Sequence, residues 1–252
     1  GPNTSSNSDN IPLTVSIGKN SVISSAGTTD IGTFHRIDFE SDSFLAGIGG
    51  LGTAVDSDLT TISYVNAAIT IGESAKIGTR NLRIYTDQNV RSDTDTDAQA
   101  YAGLGASTST ESTSRYYATN TVNIGTGAVV VATGAATIEN ASGNVYVRAD
   151  SYARGVSFVA SVDATSNGTR RMTNTVTIAS GTEIITPRLA VQSLRPTGSL
   201  DVTADSTNVS AVGFFISIWN AITGGSVGRT ANRDGNTGSD TVDLNAAITL
   251  GS

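Results

Sequence analysis

A five-residue phrase that returns at a nearly constant interval constrains this chain more than any other feature. Thr14-Val15-Ser16-Ile17-Gly18 comes back as Ala68-Ile69-Thr70-Ile71-Gly72, Thr121-Val122-Asn123-Ile124-Gly125, Thr175-Val176-Thr177-Ile178-Ala179 and Ala247-Ile248-Thr249-Leu250-Gly251. From Val15 through Ile69, Val122, Val176 and Ile248 the steps along the chain are 54, 53, 54 and 72. A fixed period of this length marks a stacked-repeat architecture, in which each unit buries its apolar face only against its neighbours.

Within a unit the apolar residues follow a period of two. Val122 and Ile124 flank Asn123, and Val145 and Val147 flank Tyr146. β-rich runs broken by Gly, Asn, Ser and Asp read as strands with tight turns, and no segment carries the 3.6-residue period of an amphipathic helix. Turns too brief for crossover helices leave one economical arrangement, a coil whose turns stack in parallel. The expected class is therefore all-β, a parallel β-helix (β-solenoid) built from ~54-residue repeats, each supplying two coils or three of about 18 residues. A string of β-sandwich modules is the runner-up, and about seven strands would have to fit into each unit.

Residues 1–10 read as a leader that opens on Gly1-Pro2, the remnant of a cleaved tag, and is disordered. Residues 11–252 read as a single repeat domain with units near 11–64, 65–118, 119–172 and 173–244 and the start of a fifth at 245–252. The last step is the long one. Its excess is placed around Ser217 to Gly238 as an extra coil or an enlarged loop, because Gly224-Gly225 and Asp234-Gly235-Asn236 are turn signals.

Charge excludes one class of partner. Fifteen basic residues against 22 acidic ones leave a net charge of −7, without the basic stripe that nucleic-acid phosphates require. No apolar run approaches the roughly 20 residues of a membrane helix, so membrane insertion is not expected. Cysteine is absent, which removes disulfides and thiolate metal sites from this segment.

The Thr-Val-x-Ile-Gly phrase, the Gly-Ala-x-Val phrase at Gly127-Ala128-Val129-Val130 and the Val-x-Val-x-Ala-Asp-Ser phrase from Val145 to Ser151, shortened at Val202 to Ser206, resemble a known family. The unit is similar to repeats of very large bacterial surface exoproteins related to filamentous haemagglutinin-type adhesins. That resemblance implies a secreted or cell-surface β-helical stalk used in adhesion or cell-cell contact, and it carries over no catalytic residue.

Few residues offer chemistry. Asp93, Asp95 and Asp97 alternate, so on a strand their carboxylates share one side and form a candidate Ca²⁺ site. Ala98 and Leu104 stand where a helix-loop-helix calcium site has Gly and Glu, so a solvated strand or turn edge is the favoured reading of the acids. Asp42, Asp97, Asp150 and Asp205 recur at steps of 55, 53 and 55, as expected of Asx turns at one corner. Gly47, Gly103, Gly155 and Gly213 recur as sites of close backbone approach. His35 is the single histidine, without a nucleophile elbow beside it, and reads as a surface or turn residue. Arg148, Arg154, Arg170 and Arg171 read as a solvated face. Trp219, Arg229 and Arg233 in the long unit are candidate ligand contacts, with Phe214 to Trp219 also suited to a buried coil.

The expected function is a noncatalytic, adhesive, extracellular segment, with no cofactor unless calcium binds. Its expected partners are neighbouring repeats of the parent chain and a cell-surface glycan or protein. The alternative is a β-helical carbohydrate-active enzyme, a lyase or glycosidase, or a carbohydrate-binding module, since fold alone does not decide activity.

Overall fold

The structure, a computed structural model, describes residues 3–7, 11–194, 197–210, 227–244 and 247–249. Its strands, in chain order, are β1 (Asn3–Asn7), β2 (Ile11–Ile17), β3 (Val22–Ser24), β4 (Thr28–Gly49), β5 (Gly52–Ile71), β6 (Lys76–Ala102) and β7 (Gly105–Ile124). They continue as β8 (Val129–Ser157), β9 (Val159–Ile178), β10 (Glu183–Ile185), β11 (Leu189–Ser193), β12 (Leu200–Ser210), β13 (Val227–Leu244) and β14 (Ala247–Thr249). No helix occurs among the described residues, so the all-β expectation is met.

The chain lays these strands alternately into two parallel sheets. The first has the order β1-β5-β7-β9-β13, with β2 also on β5; the second runs β14-β10-β8-β6-β3, with β4 on β6 and both β11 and β12 on β8. Register carries the repeat directly, because Val15 stands beside Ile69, Ile69 beside Val122 and Val122 beside Val176. Each long strand therefore pairs with its equivalent one whole repeat on in both sheets, where an expectation of two or three short coils per repeat would put the pairing at a half or a third of that interval. The Ser, Thr, Asn and Gly residues that looked like punctuation sit at alternating positions inside the strands. There the ladder satisfies their backbone, and a small polar side chain fits either face.

Two further expectations are corrected by the register. Val242 of β13 pairs with Val176, so Thr241-Val242-Asp243-Leu244 continues the repeat phrase, whereas Ile248 pairs with Ile184 in the other sheet. The β12–β8 register stays in step through Ser210, and β13 pairs without a break from Val227 except for a bulge between Asp234 and Asn236. The additional residues thus fall in 211–226, outside the described residues, and the Asp234-Gly235-Asn236 signal marks a bulge rather than a loop.

The phrase itself ends a strand and makes a corner. Ser21, Ala75, Ala128 and Thr182 donate backbone N–H bonds to the carbonyls of Gly18, Gly72, Gly125 and Ala179, at 3.2 to 3.4 Å, closing a β-turn once per repeat. The third turn position is left-handed each time, at Asn20 (φ 58°), Ser74 (φ 56°), Gly127 (φ 67°) and Gly181 (φ 71°). Three of these four are the residue types that tolerate the conformation best, which is why the turn is readable in sequence.

Between the sheets lie three apolar clusters set apart by polar layers. Next to the corner turns, Ile69, Ile71, Ile77, Ile84, Val122, Ile124, Val130, Ile138, Val176, Ile178 and Ile184 are at most 1% exposed and form aliphatic columns. Val65, Val90, Tyr116, Val145, Val147, Met172 and Leu200 form a middle cluster. At the far end the filling is Ala98, Ala100, Ala106, Ala153, Ala160, Val162 and Ala164. Gly155 belongs to this narrow end, where a Cβ on it would stand 2.8 Å from a Val162 methyl. Gly47 is equivalent, but Gly103 lies in the following turn beside the Gly50 carbonyl, and Gly213 is outside the described residues.

Candidate functional site

The outward side of β6 collects the acidic residues singled out by spacing. Asp93, Asp95 and Asp97 do share that face, as the two-residue period requires. Consecutive members are about 6.6 Å apart along a strand and the outer two about 13 Å, so one ion that holds its oxygens at about 2.3–2.6 Å cannot take all three. The neighbouring side chains are arranged for charge pairing instead. Arg91 Nη2 and Arg148 Nη1 donate to Asp93 Oδ2 at 3.3 and 3.5 Å, and Arg148 Nη2 donates to Asp150 Oδ2. Asp97 accepts from Gln99 Nε2, whose amide oxygen takes the Tyr101 hydroxyl at 2.7 Å. Among the described residues no group of three or more His or acidic side chains is disposed to hold a metal ion.

The aspartates that recur in sequence, Asp42, Asp97, Asp150 and Asp205, are not in register with one another as one column. Asp42 stands beside Asp95 and Asp95 beside Asp150, whereas Asp97 pairs with Phe44 and Tyr152, and Asp205 with Tyr152. All of them lie within strands rather than at an Asx corner. Partial burial is the main influence that holds the Asp95 carboxyl above its ordinary value; Asp150 adds to it, Arg148 opposes it, and Asp42 and Asp93 add a little more. Burial likewise raises Asp97, and the Gln99 bond opposes that. The result is an acidic ladder threaded with guanidinium groups, a surface that repels anions and discourages lateral pairing of sheets.

His35 is half-buried and lies within a strand, not in a turn. It stands in β4 in register with Gln88, and burial lowers its imidazole below the usual range. Its Nε2 is buried without a hydrogen-bond partner, while the neighbouring Gln88 Oε1 accepts from the Tyr116 hydroxyl at 2.7 Å. Tyr116 is fully buried, and desolvation drives its phenol well above the ordinary range. Arg170, expected on a solvated face, is only 3% exposed and stands in register with Tyr116 on the inward side of β9. Of the other three, Arg148 and Arg171 are exposed, and Arg154 is half-buried.

Trp219 lies outside the described residues. Arg229 and Arg233 stand on β13 in register with Ala164 and Gly168.

Sequence reasoning missed two surface features. Leu51, Leu104 and Phe158 succeed one another at the corner opposite the Gly turns, 77%, 59% and 40% exposed, and each lies one repeat period after the last. A groove of about 360 Å³ runs across β3, β6 and β8 of the second sheet, lined among others by Ser24, Ser25, Thr79, Arg80 and Thr133. The β6–β8 register slips beside this groove, between Thr79 and Asn81.

Comparison of the chain with protein-family models, with curated proteins and with solved structures finds no match.

Proposed function

We propose that the chain is a parallel β-helix with one repeat to each coil, serving as a noncatalytic structural and adhesive segment of an extracellular repeat protein. The observation that carries this reading is the continuous parallel register, in which β5, β7 and β9 succeed one another in one sheet and β4, β6 and β8 in the other, each strand beside its equivalent one repeat on. Each coil advances only about 4.8 Å along the stack. A single coil such as β6 with β7 nevertheless commits 27 and 20 strand residues to ladders on both sides. Tension along the stack is therefore shared by many hydrogen bonds side by side, which makes a stiff stalk.

The resemblance of the repeat phrases to haemagglutinin-type exoproteins supports secretion to a cell surface. The exposed corner residues Leu51, Leu104 and Phe158 and the groove beside Arg80 are the surfaces that would touch a cell-surface glycan or protein. The test is retention without turnover. Immobilised chain should retain cell-surface glycan or protein and leave acidic polysaccharides at their original length. Release of reducing ends or unsaturated sugars would instead establish a carbohydrate-active enzyme.

A further inference from the structure

One edge of the stack is finished differently from its interior. Among the described residues β4 is bonded only to β6, so a strand of 22 residues leaves its other row of backbone donors and acceptors open. In the other sheet, Gly52 to Ser57 of β5 lie ahead of the β1 pairing, which begins at Asp58. Ile37, Phe39 and Leu45 are inward and in register with Val90, Ser92 and Ala98, which are at most 1% exposed, yet the three themselves are only half-buried. Phe34, Phe44 and Ile48 on the same strand are 57% to 88% exposed.

Charge names the occupant. Glu40 stands in register with Asp93, and Asp93 with Arg148, whose guanidinium reaches the Asp93 carboxylate from the next strand. Asp38, Glu40 and Asp42 take part in none of the five ion pairs among the described residues. We propose that this edge seats one more coil of the same repeat type, with apolar residues over Ile37, Phe39 and Leu45 and an arginine or lysine in register with Glu40. The proposal rests on the stacked reading above. Residues 118–171 have the required chemistry, because Arg148 would take toward Glu40 the place it holds toward Asp93. A second copy of the whole chain fits less well: Asp201 of β12 follows Arg148 in register, so end-to-end docking sets Asp201 against Glu40.

The experiment joins a second copy of residues 118–171 directly ahead of Ile11, in place of residues 1–10, which preserves the register of Ile11 with Val65, Ala118 and Met172. Hydrogen exchange of the β4 amides should slow at least tenfold relative to the unextended chain, and Tm should rise. Arg148→Glu within the added copy should return part of that protection between Asp38 and Asp42. Unchanged β4 exchange with proteolytic loss of the added copy would overturn the proposal and make β4 a finished cap. A dimer of the unextended chain by light scattering, with β4 already protected, would overturn it in favour of a second copy. Helical circular dichroism of the unextended chain would overturn the stacked reading itself, so the two failures are told apart.

Discussion

At the end of the interior beside the Gly turns, Ile71, Ile77, Ile124 and Ile178 fill the space between the sheets; at the far end Ala98, Ala153 and Ala164 occupy equivalent inward positions. The same alternation produces both. Between the alanine end and the middle cluster, hydroxyls fasten the layers: Ser112 Oγ donates to the Thr94 carbonyl at 2.8 Å, Ser166 Oγ to the Thr203 carbonyl at 2.6 Å, and Thr108 Oγ1 to the Arg154 carbonyl at 3.0 Å. A serine that reaches the backbone of the opposite sheet requires the layers to be closer than the usual ~10 Å. Each buried methylene contributes about 0.8 kcal/mol, so the isoleucine end is held chiefly by apolar burial and the narrow end by close contact and hydrogen bonds. A chain poor in large apolar residues can close a long interior this way.

The strongest way to break the contrast is a charge at the wide end. Ile124→Asp buries an unpaired carboxylate among aliphatic neighbours, and we expect loss of its own coil and both flanking ones. Limited proteolysis checks this. A resistant fragment from residue 174 onward with unchanged Tm would speak for independent modules instead.

Volume changes should act oppositely at the two ends. Ile124→Ala should lower stability by about 2–5 kcal/mol through the cavity it leaves. Ala153→Leu should lower it by about 1–3 kcal/mol by forcing the narrow layers apart. Urea unfolding of both variants measures the difference; tolerance of leucine at 153 would show that the narrow end is not closely packed.

The hydroxyl layer offers a finer comparison. Ser112→Ala removes a cross-sheet bond and should destabilise by about 1 kcal/mol. The Thr94 hydroxyl is buried without a partner, so Thr94→Val should stabilise by a similar amount in the same melts.

The outer acidic ladder should give a smaller, pH-dependent effect. Because the Asp95 carboxyl is raised in the folded chain, its ionisation opposes folding at neutral pH, and that penalty is relieved as pH falls through the folded value toward the unfolded one near 3.8. Asp95→Asn should therefore raise Tm at pH 7 and flatten its rise on acidification. Millimolar Ca²⁺ should leave Tm nearly unchanged, and a rise abolished by Asp95→Ala would establish the calcium site.

Several of these features were legible before the fold was known, and others were not. The two-residue alternation places Val122, Ile124, Val176 and Ile178 on one face, and all four are buried in equivalent positions. The placement of Asp93, Asp95 and Asp97 on a common face follows from the same period. Arg91, two residues before Asp93, shares that face by the same period, but the pairing of Asp93 with Arg148 does not follow from it, because Arg148 comes from a different strand one repeat away and the register includes slips near Thr79 and Tyr85 that no local pattern reveals. A difference of two residues in register exchanges Asp97 for Asp95 in the column with Asp42 and Asp150.

By itself the sequence determined the β class, the repeat period and the corner turns, because these depend on local sterics and on side-chain alternation. The tertiary structure alone decided that strands pair with their equivalents one whole repeat on and run long, since Ser, Thr, Asn and Gly suit both a turn and the middle of a ladder. It also decided the fate of polar residues that composition assigns to the surface. Asn120 and Asn140 are buried because Asn120 Nδ2 donates to Asn174 Oδ1 at 2.8 Å and Asn140 Nδ2 to the Asn120 and Thr175 carbonyls at 2.8 and 2.9 Å, partners supplied by distant strands. Burial of a polar group is set by whether such partners exist, and only the assembled sheets bring them within reach.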